Sequence, residues 1–469
     1  MPPLSFLDRS RTVAGPSFNR WLVPPAALAI HLAIGQAYAF SVFDLPLSRA
    51  VGITHSVPGD WKLTTIGWIF STAIFFLGIS AFAFGHWLED AGPRKAMFAA
   101  ACCFGGGFLV AAVGVRAHQI WLVYLGYGVI GGIGLGLGYI SPVSTLIKWF
   151  PDRPGMATGL AIMGFGGGAM IASPLSYALM KHFATPTEVG VWETFVALGV
   201  IYFVFMMYGV FLVRVPAPGW QPAGYVAPAR ARRLVTTANV HVDGAMKTPQ
   251  FWLLWWVLCL NVTAGIGVLG QASPMIQEMF GGRVTAAAAA GFVALLSLAN
   301  MLGRFGWSTF SDVIGRKQTY ALFFVLGALL YALIPLTGRV GSVALFVVGF
   351  FVIISMYGGG FATIPAYLKD MFGTMHVSAI HGRLLTAWSA AGVFGPVLVN
   401  YIRQYQIDHG VSKANAYTIT MYIMAALLVV GLVCNWLVRE VRPEHHFSGE
   451  GEALPRSNAM PGARAEQVI

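Results

Sequence analysis

The residue whose type and setting could do chemistry most directly is Arg304, in the stretch SLANMLGRFGWSTFSD (Ser297–Asp312), which follows the apolar run VTAAAAAGFVALL. A guanidinium presents a planar fork of donors that fits a carboxylate through two parallel hydrogen bonds. Other polar or aromatic residues interrupt apolar runs elsewhere: His31, Gln36, Tyr38, Tyr139, Asn261, Gln271, Tyr357 and Trp388. Each alone is more often a packed helix residue, and His31 can simply donate to a nearby backbone carbonyl. Together with Arg304 they could line one cavity with donors and ring edges. That is the chemistry of holding an anion, not of making bonds. No acid pair, metal-ligand cluster or nucleophile–base pairing accompanies them, so an enzyme is not expected, and neither is a cofactor or metal. Cys102, Cys103, Cys259 and Cys434 fall in apolar runs and read as small buried hydrophobes. His445–His446 alone are a poor metal site.

The elements that must position these residues follow from composition. The 469 residues are 57% hydrophobic and 10% charged, against about 25% charged in an ordinary globular chain. Runs long enough to cross about 30 Å of hydrocarbon as helices occupy 22–45, 64–88, 95–115, 120–147, 156–180, 194–213, 250–272, 285–310, 318–337, 342–366, 384–404 and 416–438. Backbone amides inside lipid have no water to pair with, and the runs lack the alternation of a barrel. The expected fold is therefore an all-α, twelve-helix membrane protein. The N-terminal stretch MPPLSFLDRSRTVAGPSFNR lacks the apolar core of a signal peptide, so the first helix is expected to be retained.

Basic residues set the expected orientation, because Lys and Arg stay on the cytoplasmic side of short loops. With the N-terminus inside, twenty of the 29 basic residues lie on the cytoplasmic side, among them Arg94, Lys95, Arg316 and Lys317, and eight lie outside. Both termini are thus expected in the cytoplasm. The +11 net charge is accounted for by this asymmetry without a nucleic-acid partner. The one basic residue on neither side is Arg304.

A Pro-, Ala- and Arg-rich connection over 214–249 separates two halves, 1–213 and 250–438, and a polar tail, expected to be disordered and cytoplasmic, covers 439–469. The halves carry matching punctuation. Glu89 and Asp312, Pro142 and Pro365, and Pro174 and Pro396 are offset by 223, 223 and 222 residues, which reads as an internal duplication. The run GGIGLGLG (Gly131–Gly138) has glycines four apart, which suits close helix packing in a membrane; no strand precedes it, which argues against a dinucleotide loop.

The joints GHWLEDAGPRK (Gly85–Lys95) and STFSDVIGRK (Ser308–Lys317) resemble the loop signature of the major facilitator superfamily. GQAYAFSVF (Gly35–Phe43), the stretch Gly136–Ala169 and LTAWSAAGVFGP (Leu385–Pro396) resemble the oxalate:formate antiporter family, relatives of the monocarboxylate porters. The resemblance implies a binding cage around a carboxylate made of Gln36, Tyr38, Tyr139, Arg304, Tyr357, Phe361 and Trp388, with His31 and Gln271 as further candidates. It implies gating roles for Glu89, Arg94, Asp312 and Arg316, and a monomer. Two departures narrow it. Ala391 stands where oxalate-transporting members resemble a second-cation design with lysine, and Asn300 stands where the monocarboxylate porters have an acid.

Arg304 lies eight residues before Asp312, roughly 12 Å along a helix and near mid-depth. A cation there costs about 2.5–3.5 kcal/mol on insertion scales unless it meets a partner or water. No Asp or Glu lies well inside any of the twelve runs. The expected function is secondary transport of a small organic anion, a monocarboxylate before oxalate, with the lipid bilayer as the other partner. An exporter of drugs or neutral solutes is the competing class. It is disfavoured because cationic drugs call for an intramembrane acid, not an arginine.

Overall fold

A computed structural model of the chain describes residues 5–222, 224, 234–236, 238–269, 272–281 and 283–446. Gln271 and residues 447–469, most of the expected tail, lie outside the described residues. Eleven of the described helices are long and apolar enough to cross a membrane, and the 29-residue helix Ala286–Ile314, which carries Arg304, is the twelfth crossing. In chain order they are α1 (Val23–Ile34, the α-helical part of the crossing Arg20–Phe40), α2 (Leu63–Ala91), α3 (Pro93–Arg116), α4 (Ile120–Trp149), α5 (Pro154–Phe183), α6 (Val191–Leu212), α7 (Pro249–Leu269), α8 (Ala286–Ile314), α9 (Arg316–Val340), α10 (Val343–Phe372), α11 (Val377–Asp408) and α12 (Thr418–Leu437). The result is two six-helix halves. Val204, Val325, Val348 and Val433 are exposed on the outer surface, as expected where the solvent is lipid.

Several helices overrun the apolar runs, because a helix continues past the hydrocarbon wherever its polar ends can reach water. α11 begins at Val377, seven residues before the expected 384, and shifts register at Leu385. α1 gives way to a 3-10 segment, Gly35–Phe43, within its expected crossing. Gly35 is required there, since a Cβ on it would collide with the backbone carbonyl of Phe165 on α5. α4 contains a π-helical stretch, Tyr124–Gly131, of the sort that recurs beside functional sites. Of the cysteines, Cys259 is buried, but Cys102 is exposed. This departs from the expected burial: the apolar run fixed membrane depth, while Cys102 lies on the outward face of α3.

The two duplicated joints turn alike. Gly92 ends α2 at φ 83°, ψ 162°, and Gly315 ends α8 at φ 92°, ψ 153°, a region open to glycine and costly for other residues. The N-terminal segment, the chain leaving α6 and the chain leaving α12 gather at one end of the bundle, here the terminal face. Val13 pairs with Val215 and Val240 with His446 in isolated bridges. Arg383 binds Asp243 at 2.6 Å, and that hydrogen bond holds the Asp243 carboxyl below its usual range.

Candidate functional site

Arg304 is fully buried on the face of α8 that meets α5. Its Nε donates to Asn300 Oδ1 at 2.8 Å, one turn earlier on the same helix. A neutral amide thus aims the guanidinium without cancelling its charge. Nη1 and Nη2 lie near the hydroxyls of Tyr38 and Tyr139 but close no well-formed hydrogen bond. The cation instead lies 5.5 Å from the ring centre of Phe165 and 5.2 Å from that of Phe361, a pair of contacts worth about 0.5–2 kcal/mol each.

Around it the structure gathers aromatic residues from five helical segments. Phe165 packs against Tyr38, Trp388 and Tyr139 with ring centres 4.8, 5.7 and 6.1 Å apart. Trp388 touches Phe361 at 4.4 Å, Tyr139 at 5.3 Å and Tyr38 at 6.3 Å. His31 meets Tyr139 edge to face at 5.5 Å. Tyr38 and Tyr357, from opposite halves, share a hydrogen bond at 2.9 Å. Tyr357 precedes Phe361 by one turn on the side of α10 away from the terminal face, so the tyrosine pair roofs the site from the far side. The Tyr139 hydroxyl, Trp388 Nε1 and His31 Nε2 are buried and unpartnered, a set of unused polar atoms beside an unused guanidinium.

Of the residues named from the sequence, His31, Tyr38, Tyr139, Arg304, Tyr357, Phe361 and Trp388 come together. Gln36 is turned toward α4, where its Oε1 accepts from the Tyr127 hydroxyl at 2.9 Å. Two residues were missed. Phe165 sits at the centre of the cage; the signal that could have found it is the lone aromatic ring inside GFGGGA, whose glycines let α5 press against α1 and α8. His381, 5.8 Å from Tyr139, is buried with an unpartnered Nε2; it lies before the expected start of its span at 384.

Below the site, toward the terminal face, each half's α2-type helix caps a helix of the other half. Asp312, ending α8, accepts from the backbone N–H of Gly155 and Met156 in the first turn of α5, both at 2.9 Å. Glu89, ending α2, accepts from Ala379 N at 3.3 Å in the first turn of α11 and from His376 Nδ1 at 3.0 Å. A carboxylate there meets unpaired amides and the positive end of the helix dipole. Arg316 clamps Asp312 at 2.5 Å and Asp370 at 3.2 Å. Arg94 is used differently: it donates to the carbonyls of Phe6 at 2.8 Å and Val213 at 3.2 Å, both within its own half. Thr158 to the Ala362 carbonyl at 2.7 Å and Ser389 to the Ile74 carbonyl at 3.0 Å complete the seams between halves.

The sequence model of the Major Facilitator Superfamily matches residues 17–396, and again 287–466. The chain belongs to the major facilitator superfamily. Within that superfamily it is 26% identical over 382 residues to the oxalate:formate antiporter of Oxalobacter formigenes, covering 80% of this chain and 83% of that one. To human monocarboxylate transporter 11 it is 23% identical over 399 residues, covering 82% and 77%. The fold matches the crystal structure of the Escherichia coli fucose:proton symporter with a TM-score of 0.62 at 13% identity, over 90% of this chain and all of that one.

Proposed function

We propose that this major facilitator superfamily transporter carries small organic anions, chiefly monocarboxylates, by alternating access of its two halves around Arg304. The observation that supports this is the state of the arginine: fully buried, held by a neutral asparagine, with both terminal nitrogens unpaired. A desolvated cation without a protein counter-ion is costly, and a bound carboxylate supplies the missing charge in the forked geometry that guanidinium favours. The names of the two relatives above, each a carrier of carboxylates, agree with it. Ala391, fully buried one turn beyond Trp388, supplies no second cation, so one negative charge is matched. Exchange of oxalate for formate is the second reading, supported by the Oxalobacter relative. Purified protein in proteoliposomes tests both: saturable uptake of labelled monocarboxylates is expected, exceeding that of oxalate, and no uptake of any carboxylate removes the proposal.

In this cycle the terminal face is cytoplasmic, a reading supported by the excess of basic residues there, and the protein sits in the inner membrane with both termini inside. One chain contributes the whole cage, so a monomer suffices. Asp312, Arg316 and Glu89 hold the cytoplasmic side shut, and Tyr38 with Tyr357 covers the site from outside. Asp312→Asn removes the charge that caps α5; such caps are worth roughly 0.3–2 kcal/mol, so a several-fold shift toward the cytoplasm-open state is expected. Alkylation rates of cysteines introduced on the two faces measure it, and unchanged rates would make Asp312 ordinary loop chemistry.

Asn300→Asp places an acid where the neutral amide now sits, 2.8 Å from Arg304 Nε. The new carboxylate competes with substrate for the same cation. Carboxylate affinity should fall by at least about tenfold at neutral pH, given roughly 4 kcal/mol between unit charges 4 Å apart at an effective dielectric of 20. It should recover as the pH is lowered and the acid takes up a proton. Binding titrations across pH read the effect, and equal affinity in the variant and the unaltered protein would mean that Arg304 is not the anion's partner.

A further inference from the structure

The unpaired nitrogens of Arg304 and Trp388 are donors, and His31 adds a group of the opposite sense whose direction the structure fixes. His31 Nδ1 lies 3.1 Å from the carbonyl oxygen of Ala27, one turn back on α1. A carbonyl only accepts, so Nδ1 carries the proton, and in the neutral ring Nε2 is a bare lone pair. That nitrogen is fully buried without a partner, on a ring in edge contact with Tyr139 and within electrostatic reach of Arg304. Arg304 Nη1, Nη2 and Trp388 Nε1 can only donate. A carboxylate oxygen satisfies them and repels Nε2, since two lone pairs cannot share a hydrogen bond. An unsubstituted acid such as acetate therefore satisfies the arginine and leaves the histidine unpaired.

We propose that His31 is a specificity-determining residue that accepts a hydrogen bond from a hydroxyl group of the substrate, so that the preferred ligand is a small hydroxymonocarboxylate. The proposal rests on the anion reading above and goes beyond it in naming the second functional group. A hydroxyl close to the carboxylate fits because both ends of the ligand then meet partners of opposite sense. An ammonium group could also donate, but it would enter the field of the Arg304 cation with no nearby carboxylate to hold it. A site that hydrogen-bonds a ligand hydroxyl rejects the analogue lacking it strongly, because its own polar atom is then left buried and unpaired.

The test uses matched pairs that differ by that hydroxyl: glycolate against acetate, and lactate against propionate, titrated calorimetrically into the full-length protein in detergent. The expected result is at least about tenfold tighter binding of the hydroxy acid in each pair, with the ratio falling to near one in His31→Phe. Equal affinities within each pair in the unaltered protein overturn the proposal without reliance on any variant. A hydroxyl preference that survives in His31→Phe overturns the assignment to this residue. If all four acids bind equally and all tighten together as pH falls, His31 receives a proton and not a hydroxyl, which also overturns it. Binding of none of the four defeats the anion reading itself, an outcome separate from binding without discrimination.

Discussion

Arg304→Ala is expected to abolish carboxylate binding and transport while leaving a protein that inserts and purifies normally. The guanidinium's one well-formed side-chain hydrogen bond goes to Asn300 on its own helix, and its charge reaches other helices only through the rings of Phe165 on α5 and Phe361 on α10, contacts worth about 0.5–2 kcal/mol each, too little to decide whether the protein folds. Removing one member of a buried charge pair costs about 2–5 kcal/mol, which at 1.4 kcal/mol per decade is a loss of roughly 30-fold to several thousand-fold in affinity. Arg304→Lys keeps the charge and loses the fork, and it also strips Asn300 of a geometrically matched donor, so rescue should be partial. Direct binding, thermal unfolding and uptake measured on the same preparations separate loss of function from loss of fold. Undiminished transport by Arg304→Ala would remove the anion reading altogether.

The second large effect concerns charge selectivity. Ala391→Lys should move the preference of the site from monoanions toward oxalate-like dianions. Ala391 follows Trp388 by three residues on α11, close to one turn, and both are fully buried. A lysine there places a second ammonium about one turn beyond Trp388 on α11. The larger side chain must displace neighbours at a cost of about 1–3 kcal/mol, so the informative quantity is a ratio. Competition by oxalate relative to formate, in variant and unaltered protein, cancels the stability term. A rise of at least about tenfold is expected from one added charge-assisted contact of about 1.5–3 kcal/mol. An oxalate preference already present in the unaltered protein would show that another group supplies the second charge.

Much of this was legible before any coordinates, and for a physical reason. In lipid the backbone must satisfy itself, so the length of an apolar run dictates a helix, and the depth of a residue follows from counting along it. Arg304 could be placed at mid-depth, and its charge recognised as unmatched, from sequence alone. The paired joints around Glu89 and Asp312 were equally plain, because a repeat offset is a property of sequence, and both glycines that end those helices turn with φ near 90°.

What the tertiary structure decided is which faces meet. Hydropathy that is uniform around a helix does not say which neighbour it packs against, and contacts such as Tyr38 to Tyr357, 319 residues apart, carry no local signal. For that reason Phe165 went unseen at the centre of the cage, and Gln36, at a similar depth, proved to face Tyr127 instead of the arginine. Glu89 and Asp312 were visible as acids beside glycines, but only packing put each at the first turn of a helix from the other half. The sense of the His31 hydrogen bond was likewise a matter of geometry, since the ring's proton is located by Ala27 O, 3.1 Å away. Sequence by itself determined the medium, the number of crossings and the sign of the central charge, because lipid imposes those residue by residue; the close packing of helices decided which side chains surround that charge.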